Sequence, residues 1–503
     1  MPDRTTKDNT MGLPTELVYS IFNHLENMDD LLNVAMSSKE FYGIALDIVF
    51  TRNQLDPQSS TLLLNINTDN ISCLPALCLW HQFHINHRLA RLEFRYGRYP
   101  DLKGVESIYS DLKLLRNYIT KLGSVDEVNL VLVAPSEATT PDLGEATVEL
   151  LRAILDRKCS DLHVSTTRLV DTRGHIGETV LFPSDGRFVN NPRPNDWVWR
   201  KIHAARLPYN QNGRLRKCTI HTFPTFLRQF YFDALQSNSN VLTELCFHRV
   251  FDGVDDWTTL MTSLRLPRLR CLRIFVCIIL QEPVAKFLSN HRDLTILQYH
   301  HIRYHNPPAT NLPRLSPMFF QDLEELNTTP RHLLHFLPPV STLPELRILT
   351  IKIEVLHPDF AAVEEALASL EGCVNRIDLT LYITTAGLGF EAWMQTIEAL
   401  PGGIIGASEQ RPERLLYPVK SLTLYNGSWG WTVECLVRVM RWVSLFPALE
   451  AVEFDAHPSS AKTIKLDSEA EDALVQDLRR VCNKTLKVLI KSPERDIRFL
   501  LNE

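Results

Sequence analysis

Residues 242–248, 269–275 and 294–300 read LTELCFH, LRCLRIF and LTILQYH. Each piece has a large apolar residue at its first, fourth and sixth positions: Leu242/Leu245/Phe247, Leu269/Leu272/Ile274 and Leu294/Leu297/Tyr299. The fourth and sixth positions fall on one side of an extended strand, and the residues between them fall on the other. The first positions stand 27 and 25 residues apart. The triad recurs at Leu215/Cys218/Ile220, Leu346/Leu349/Ile351, Val374/Ile377/Leu379, Val419/Leu422/Leu424 and Leu449/Val452/Phe454. A weaker unit, Leu323/Leu326, fills the longest of the central steps. Upstream the triad appears as Leu89/Leu92/Phe94, Val125/Val128/Leu130 and Cys159/Leu162/Val164.

The segments before the triads have apolar residues at helical spacing, as in ESIYSDLKLLRNYITKL, EATVELLRAILDR, FAAVEEALASLEG and TVECLVRVMRWVSLF. Helix then short strand, repeated, predicts an α/β solenoid whose strands return through helical crossovers and so run parallel. One unit cannot cover its own apolar side, but stacked units can. This resembles a leucine-rich repeat, with one departure: the asparagine expected after each strand is mostly absent. The expectation is an irregular leucine-rich-repeat solenoid over residues 51–503. A non-repetitive α/β fold with several strand–helix units is the alternative. Two stretches rich in turn formers, 165–213 and 381–418, break the period and read as insertions beside a binding face or as plain surface loops.

If the triads point inward, the intervening residues line the opposite, concave face. Lys217, His248, Arg273, His300 and Lys352 are the candidate target-binding residues among them. Arg376, Asp378, Tyr425, Glu453 and Asp455 follow on later units. The centre leans basic and the C-terminal end acidic, a mixture that suits a protein or peptide ligand as well as a merely solvated surface.

The N-terminus is different. After a polar lead over residues 1–11, expected to be disordered, MGLPTELVYSIFNHLENMDDLLNVAMSSKEFYGIA predicts three short helices. Pro14 suits a first helical turn. Leu17, Ile21 and Leu25 form a stripe with Val18 and Phe22 beside it. Asp29 or Asp30 would cap a second helix, and Ser37 with Glu40 has capping-box spacing for a third. About forty residues cannot bury this many apolar side chains alone. They either meet a partner or open an ordinary α domain.

The pattern of Leu13, Pro14, Glu16, Leu17, Ile21, Leu25, Leu31, Leu32, Ala35, Ser38 and Phe41 is similar to the F-box motif. Phe41-Tyr42 stands where that family often has Trp or Phe. The resemblance covers residues 12–46 and sets a boundary for an all-α F-box at 12–50. It implies docking to a Skp-type adaptor, and through it to a cullin–RING ubiquitin ligase. Leu13, Pro14, Leu17, Ile21, Leu25, Leu31, Leu32, Ala35 and Phe41 would be the adaptor-binding residues.

Composition narrows the rest. The 503 residues carry 53 Lys and Arg against 59 Asp and Glu, a net charge of −6, so the basic excess of a nucleic-acid binder is missing. The polar start and the lack of any apolar run near the ~20 residues of a membrane span predict no membrane partner and a cytoplasmic or nuclear chain. Ten scattered cysteines without a CxxC pair read as reduced, buried hydrophobes. His300, His301 and His305 lack the accompanying ligands of a zinc site, and Gly402, Gly403 and Gly406 lack the strand–turn–helix setting of a dinucleotide loop. No GxSxG, P-loop or HExxH occurs, so neither cofactor nor metal is expected. The reading that follows is a non-enzymatic target receptor of a Skp–cullin–F-box ligase. A non-ligase scaffold and an enzyme behind an F-box remain as alternatives.

Overall fold

A strand that alternates apolar and polar residues needs its apolar side covered, and a repeated helix–strand unit covers it by stacking on its neighbours. The chain does this in two units, Met1–Leu242 and Thr243–Glu503. The structure, a computed structural model, describes residues 13–66, 73–82, 87–96, 105–134, 141–168, 213–221, 227–248, 254–275, 277–300, 302–304, 314–353, 360–370, 373, 375–383, 419–426, 431, 433–443, 446, 448–456, 468–481, 485–491 and 496–501.

The first unit opens with helices α1 (Thr15–Asn23), α2 (Met28–Ser37) and α3 (Lys39–Arg52). Parallel strands follow in sheet order: β1 (Thr61–Ile66), β2 (Arg88–Tyr96), β3 (Ser124–Ala134), β4 (Asp161–Arg168) and β5 (Lys217–His221). Helices α4 (Cys73–Trp80), α5 (Val105–Lys121) and α6 (Pro141–Asp156) connect the first four, and α7 (Arg228–Ser237) follows β5. Register stacks Leu62, Leu92, Val128, Leu162 and Cys218 in one buried column, and Leu64, Phe94, Leu130, Val164 and Ile220 in a second.

In the second unit the parallel order is β6 (Glu244–His248), β7 (Cys271–Phe275), β9 (Ile296–His300), β11 (Glu325–Thr328), β12 (Ile348–Ile353), β13 (Ile377–Ile383), β14 (Val419–Asn426), β15 (Ala451–Ala456) and β16 (Leu486–Ile490). The last strand, β17 (Ile497–Leu501), closes antiparallel on β16. Strands β8 (Ile278–Ile279) and β10 (Arg303–Tyr304) pair with each other. The helices of this unit are α8 (Val254–Ser263), α9 (Gln281–Ser289), α10 (Pro330–His335), α11 (Phe360–Ala368), α12 (Val433–Val443) and α13 (Ser468–Val481). One buried column runs Leu245, Leu272, Leu297, Leu326, Leu349, Leu379, Leu422, Val452, Val488. Each fully buried leucine contributes roughly 1.5–3 kcal/mol.

A backbone device links neighbouring repeats near the start of their strands. Two successive N–H groups at the head of a strand donate to one carbonyl before the preceding strand. Arg270 and Cys271 share Thr243 O at 2.9 and 3.0 Å, Thr295 and Ile296 share Arg270 O at 2.8 and 3.0 Å, and Glu324 and Glu325 share Thr295 O at 2.9 and 3.0 Å. Ala90 and Arg91 share Ser60 O in the first unit, at 2.8 and 3.1 Å.

Two buried side chains add a second link of matching form. Asn238, just past α7, donates from Nδ2 to Ala234 O (2.8 Å) and accepts the Leu215 N–H on Oδ1 (3.0 Å). Gly213 makes room for it, since a Cβ there would sit 2.2 Å from Asn238 Oδ1. His291, just past α9, accepts the Leu266 N–H on Nε2 (3.0 Å) and donates from Nδ1 to Phe287 O (2.6 Å). Both ring nitrogens are engaged by the neutral form, and burial pulls the His291 pKa down to about 4.

Several expectations are corrected. Leu379 and Leu381 of β13 align with Leu349 and Ile351, so the triad reading at Val374/Ile377/Leu379 was two residues early. The strand IDLTLYI buries four alternate residues and fits the pattern in two registers. Strands β1, β16 and β17 also belong to the repeat region. Asn27, not Asp29 or Asp30, caps α2 by accepting the Asp29 N–H at 3.0 Å. Ser38, not Ser37, caps α3, because Ser37 Oγ already donates back to Val34 O. Helix α3 runs through the boundary set at residue 50. The insertions begin later than 165 and 381, since β4 extends to Arg168 and β13 to Ile383. Most of both insertions, the lead over 1–11, His301, His305 and the 402–406 glycines lie outside the described residues.

Candidate functional site: two docking surfaces

Helix α1 sorts its apolar arc into two sides. Val18 and Phe22 are buried, and Phe22 meets Phe41 edge-on at 5.2 Å between centroids. The neighbouring pair points out: Leu17 is 48% and Ile21 49% exposed, with Leu13 at 38% and Met36 at 62%. Half of the large apolar side chains exposed among the described residues therefore lie between Leu13 and Met36. Pro14 is exposed, with Leu25 and Phe41 half-buried. Leu31, Leu32 and Ala35 are buried within the unit, so these three of the nine adaptor-binding candidates hold the helices together and offer no surface to a partner in this conformation.

The helices are tied down. Arg52 Nη1 donates to Leu25 O (2.7 Å) and Nη2 to Asn23 O (2.8 Å), placing a cation on the C-terminal end of α1. Tyr42 Oη donates to Leu79 O at 2.6 Å, which joins α3 to α4, and burial pushes its pKa up to about 12.

The second surface is the open side of the sheet in the second unit, opposite the buried columns. Its level nearest the strand C-termini forms a row. His248 meets Phe275 at 4.4 Å between ring centroids, and Phe275 stacks on His300 at 5.3 Å. Strand β11 has no residue at this level, because Thr329 already caps α10. Lys352 spans the gap and donates from Nζ to His300 Nε2 at 3.1 Å. Its ammonium also lies 5.3 Å from the centre of the Tyr382 ring, and Tyr382 stacks on Tyr425 at 4.2 Å. Next in line, Asp455 and Glu453 hold Lys491 at 3.1 and 2.7 Å. Beside the row, small residues Ser421, Thr423 and Ala451 leave a groove of about 460 Å³, walled by Leu489 and Leu500 with Lys487 and Arg498.

The structure brings His248, His300 and Lys352 into one row. His300 is almost wholly buried there, and Lys352 half-buried. Arg273 sits one level lower with its guanidinium engaged by Glu244 at 3.6 Å. Lys217 is exposed on β5 of the first unit. Tyr382 is the row member that sequence reasoning missed, a direct result of the two-residue register error in β13.

The nine described cysteines are free thiols; burial pushes Cys78 up to about 11 and Cys246 to about 12. Among the described residues no cluster of three His, Cys, Asp or Glu could hold a metal, and no helix is long and apolar enough to cross a membrane.

No family model matches the chain, and no curated protein matches it. A solved structure that it is similar to is the complex of Rad7 and Elc1 from yeast, at 13% identity over 90% of this chain and 94% of that one, with a TM-score of 0.34. A score that low carries no argument. What the fold itself shows is an α/β chain whose helix–strand units stack as parallel repeats.

Proposed function

We propose that this chain is the target receptor of a Skp–cullin–F-box ubiquitin ligase, docking the adaptor through α1–α3 and a target protein through the repeat region. One observation carries the reading: Leu13, Leu17, Ile21 and Met36 face outward on the helices whose sequence resembles the F-box, while Val18, Phe22, Leu31 and Leu32 hold those helices together. Outward apolar anchors on a tied-down scaffold are what an obligate partner needs. The chain supplies no catalytic group in this scheme. It works by proximity, holding the target while the cullin side brings the ubiquitin carrier.

Leu17→Asp with Ile21→Asp tests this. Capture by a Skp-type adaptor should be lost, with the melting temperature unchanged because both side chains already face water. Undiminished capture sinks the reading. Cullin co-purification through the adaptor then separates a ligase subunit from a scaffold that uses the helices for assembly alone.

A further inference from the structure

Lys352 is the informative side chain of the row. Lysines on the edges of folded chains sit in water or beside carboxylates, and a cation removed from water is stable only when something compensates it. Lys352 has lost much of its water, yet its contacts are a neutral imidazole nitrogen at 3.1 Å and the Tyr382 ring at 5.3 Å. No carboxylate among the described residues pairs with it. The acids nearby are engaged elsewhere: Glu244 with Arg273, Glu325 with the Gln298 amide at 3.2 Å, Asp378 with the Ser421 hydroxyl at 2.6 Å, Glu453 and Asp455 with Lys491.

We propose that Lys352, seated in the gap above β11 between His300 and Tyr382, is an anion subsite that receives the carboxylate of a Glu or Asp on an extended segment of the target protein. This rests on the target-receptor reading and names the chemistry of its partner. Burial without a counter-ion pulls the Lys352 pKa down, as expected of a cation waiting for one. An arriving carboxylate takes the Nζ protons now shared with His300 and forms a charge-assisted bond in a dry setting, where such bonds are strongest. The flanking rings select what surrounds that acid. From Phe275 to Tyr425 the row crosses β7, β9, β11, β12, β13 and β14. That is about 24 Å, the reach of about seven extended residues. Phe275 on one side and the Tyr382–Tyr425 pair on the other offer apolar contact two or three residues either side of the acid. Arg273 is not the reader, because Glu244 already holds its guanidinium.

The test uses the full chain and a fluorescein-labelled peptide of about eight alternating Glu and Leu residues, compared with the same peptide carrying Gln for Glu. The Glu peptide should bind about tenfold more tightly, a preference that shrinks as salt rises. Lys352→Gln should abolish the preference, Lys352→Arg should keep most of it, and Lys487→Gln and Arg273→Gln should leave it intact. Should Lys352→Gln fold poorly, the wild-type chain still decides: the Glu peptide, and not the Gln peptide, should protect Lys352 from reductive methylation followed by mass spectrometry. Equal binding of the two peptides, an unaltered preference in Lys352→Gln, or loss of it in Lys487→Gln instead would overturn the assignment. A preference that appears only when phosphoserine replaces Glu overturns the carboxylate in favour of phosphate. Adaptor capture is scored in parallel. Its loss in the Leu17/Ile21 variant bears on the receptor reading alone, and Lys352→Gln should leave it unchanged.

Discussion

The open sheet faces of the two units are built on the same repeat and differ in emphasis, although the first also sets the His163 and His221 rings 4.6 Å apart and the second also pairs Arg273 with Glu244 and Lys491 with Glu453 and Asp455. On the first unit the charges answer one another: Arg88 with Asp126 at 2.9 Å, Arg91 with Glu93 and Glu127 at 3.3 Å each, and Arg95 with Glu93. On the second, rings stack along one level, and Lys352 stands among them with no acid paired to it among the described residues. The buried columns behind both faces are nearly interchangeable in composition. The repeat therefore fixes the backbone through its inward residues and leaves the outward ones to be chosen for something else. A face whose ions are mutually satisfied has little left to offer a ligand; a face with an uncompensated cation and half-buried rings does.

The division between inward and outward positions can be broken most severely from inside. Leu272→Asp or Val128→Asp puts an unpaired carboxylate in a fully buried column and should cost more than about 4 kcal/mol in its own unit. Arg273→Glu, one residue along and outward, should cost about 1 kcal/mol or less. Thermal melts with hydrogen exchange localise the loss, and equal melting temperatures for the three would refute the register.

Acid should tell the His291 link from the Asn238 link. His291 has a folded pKa of about 4 against an ordinary 6.5, so its share of stability is complete above pH 6.5 and is lost as pH falls toward 4. The loss reaches up to about 3 kcal/mol in the second unit. The first unit uses Asn238 for the same link, and an amide does not titrate. Exchange protection should fail first around α9, and His291→Gln should flatten the pH profile. Asn238→Ala should cost about 1–3 kcal/mol at every pH, because it strands the buried Leu215 N–H. The smallest effect belongs to the ion pairs. Arg91→Gln should change stability by about 1 kcal/mol or less, and that difference should shrink in high salt, since Arg91 and Glu127 are open to water and the less exposed Glu93 keeps Arg95 as a partner.

Much of this division was legible in the sequence. Triads such as Leu269/Leu272/Ile274 placed strands because period-two burial leaves a mark in residue type. It failed where the mark is ambiguous: β13 buries Ile377, Leu379, Leu381 and Ile383, and any neighbouring two of them satisfy the last two positions of the pattern. Tyr382 was lost with that register. The shared-carbonyl links were invisible because a backbone bond has no residue signature. In the N-terminal helices, apolar periodicity alone could not separate Leu17 from Val18 or Ile21 from Phe22; adjacent residues stand only about 100° apart on one apolar arc, and packing decides which faces in. Leu31, Leu32 and Ala35 match the motif pattern equally well and are buried between the helices, a distinction that residue type does not carry.

The two hydrogen bonds from Arg52 have a practical side. They reach back to the carbonyls of Asn23 and Leu25, and the chain then turns through Gln54, whose φ is 52°, before Leu55 N–H closes on Phe50 O at 2.9 Å. A fragment ended at the domain boundary of residue 50 discards the clasp along with the end of α3 and leaves α1 held by its apolar contacts alone. One ended after Leu55 keeps the clasp shut. The shortest segment able to present Leu17 and Ile21 at their proper angle is thus set by an arginine beyond the motif.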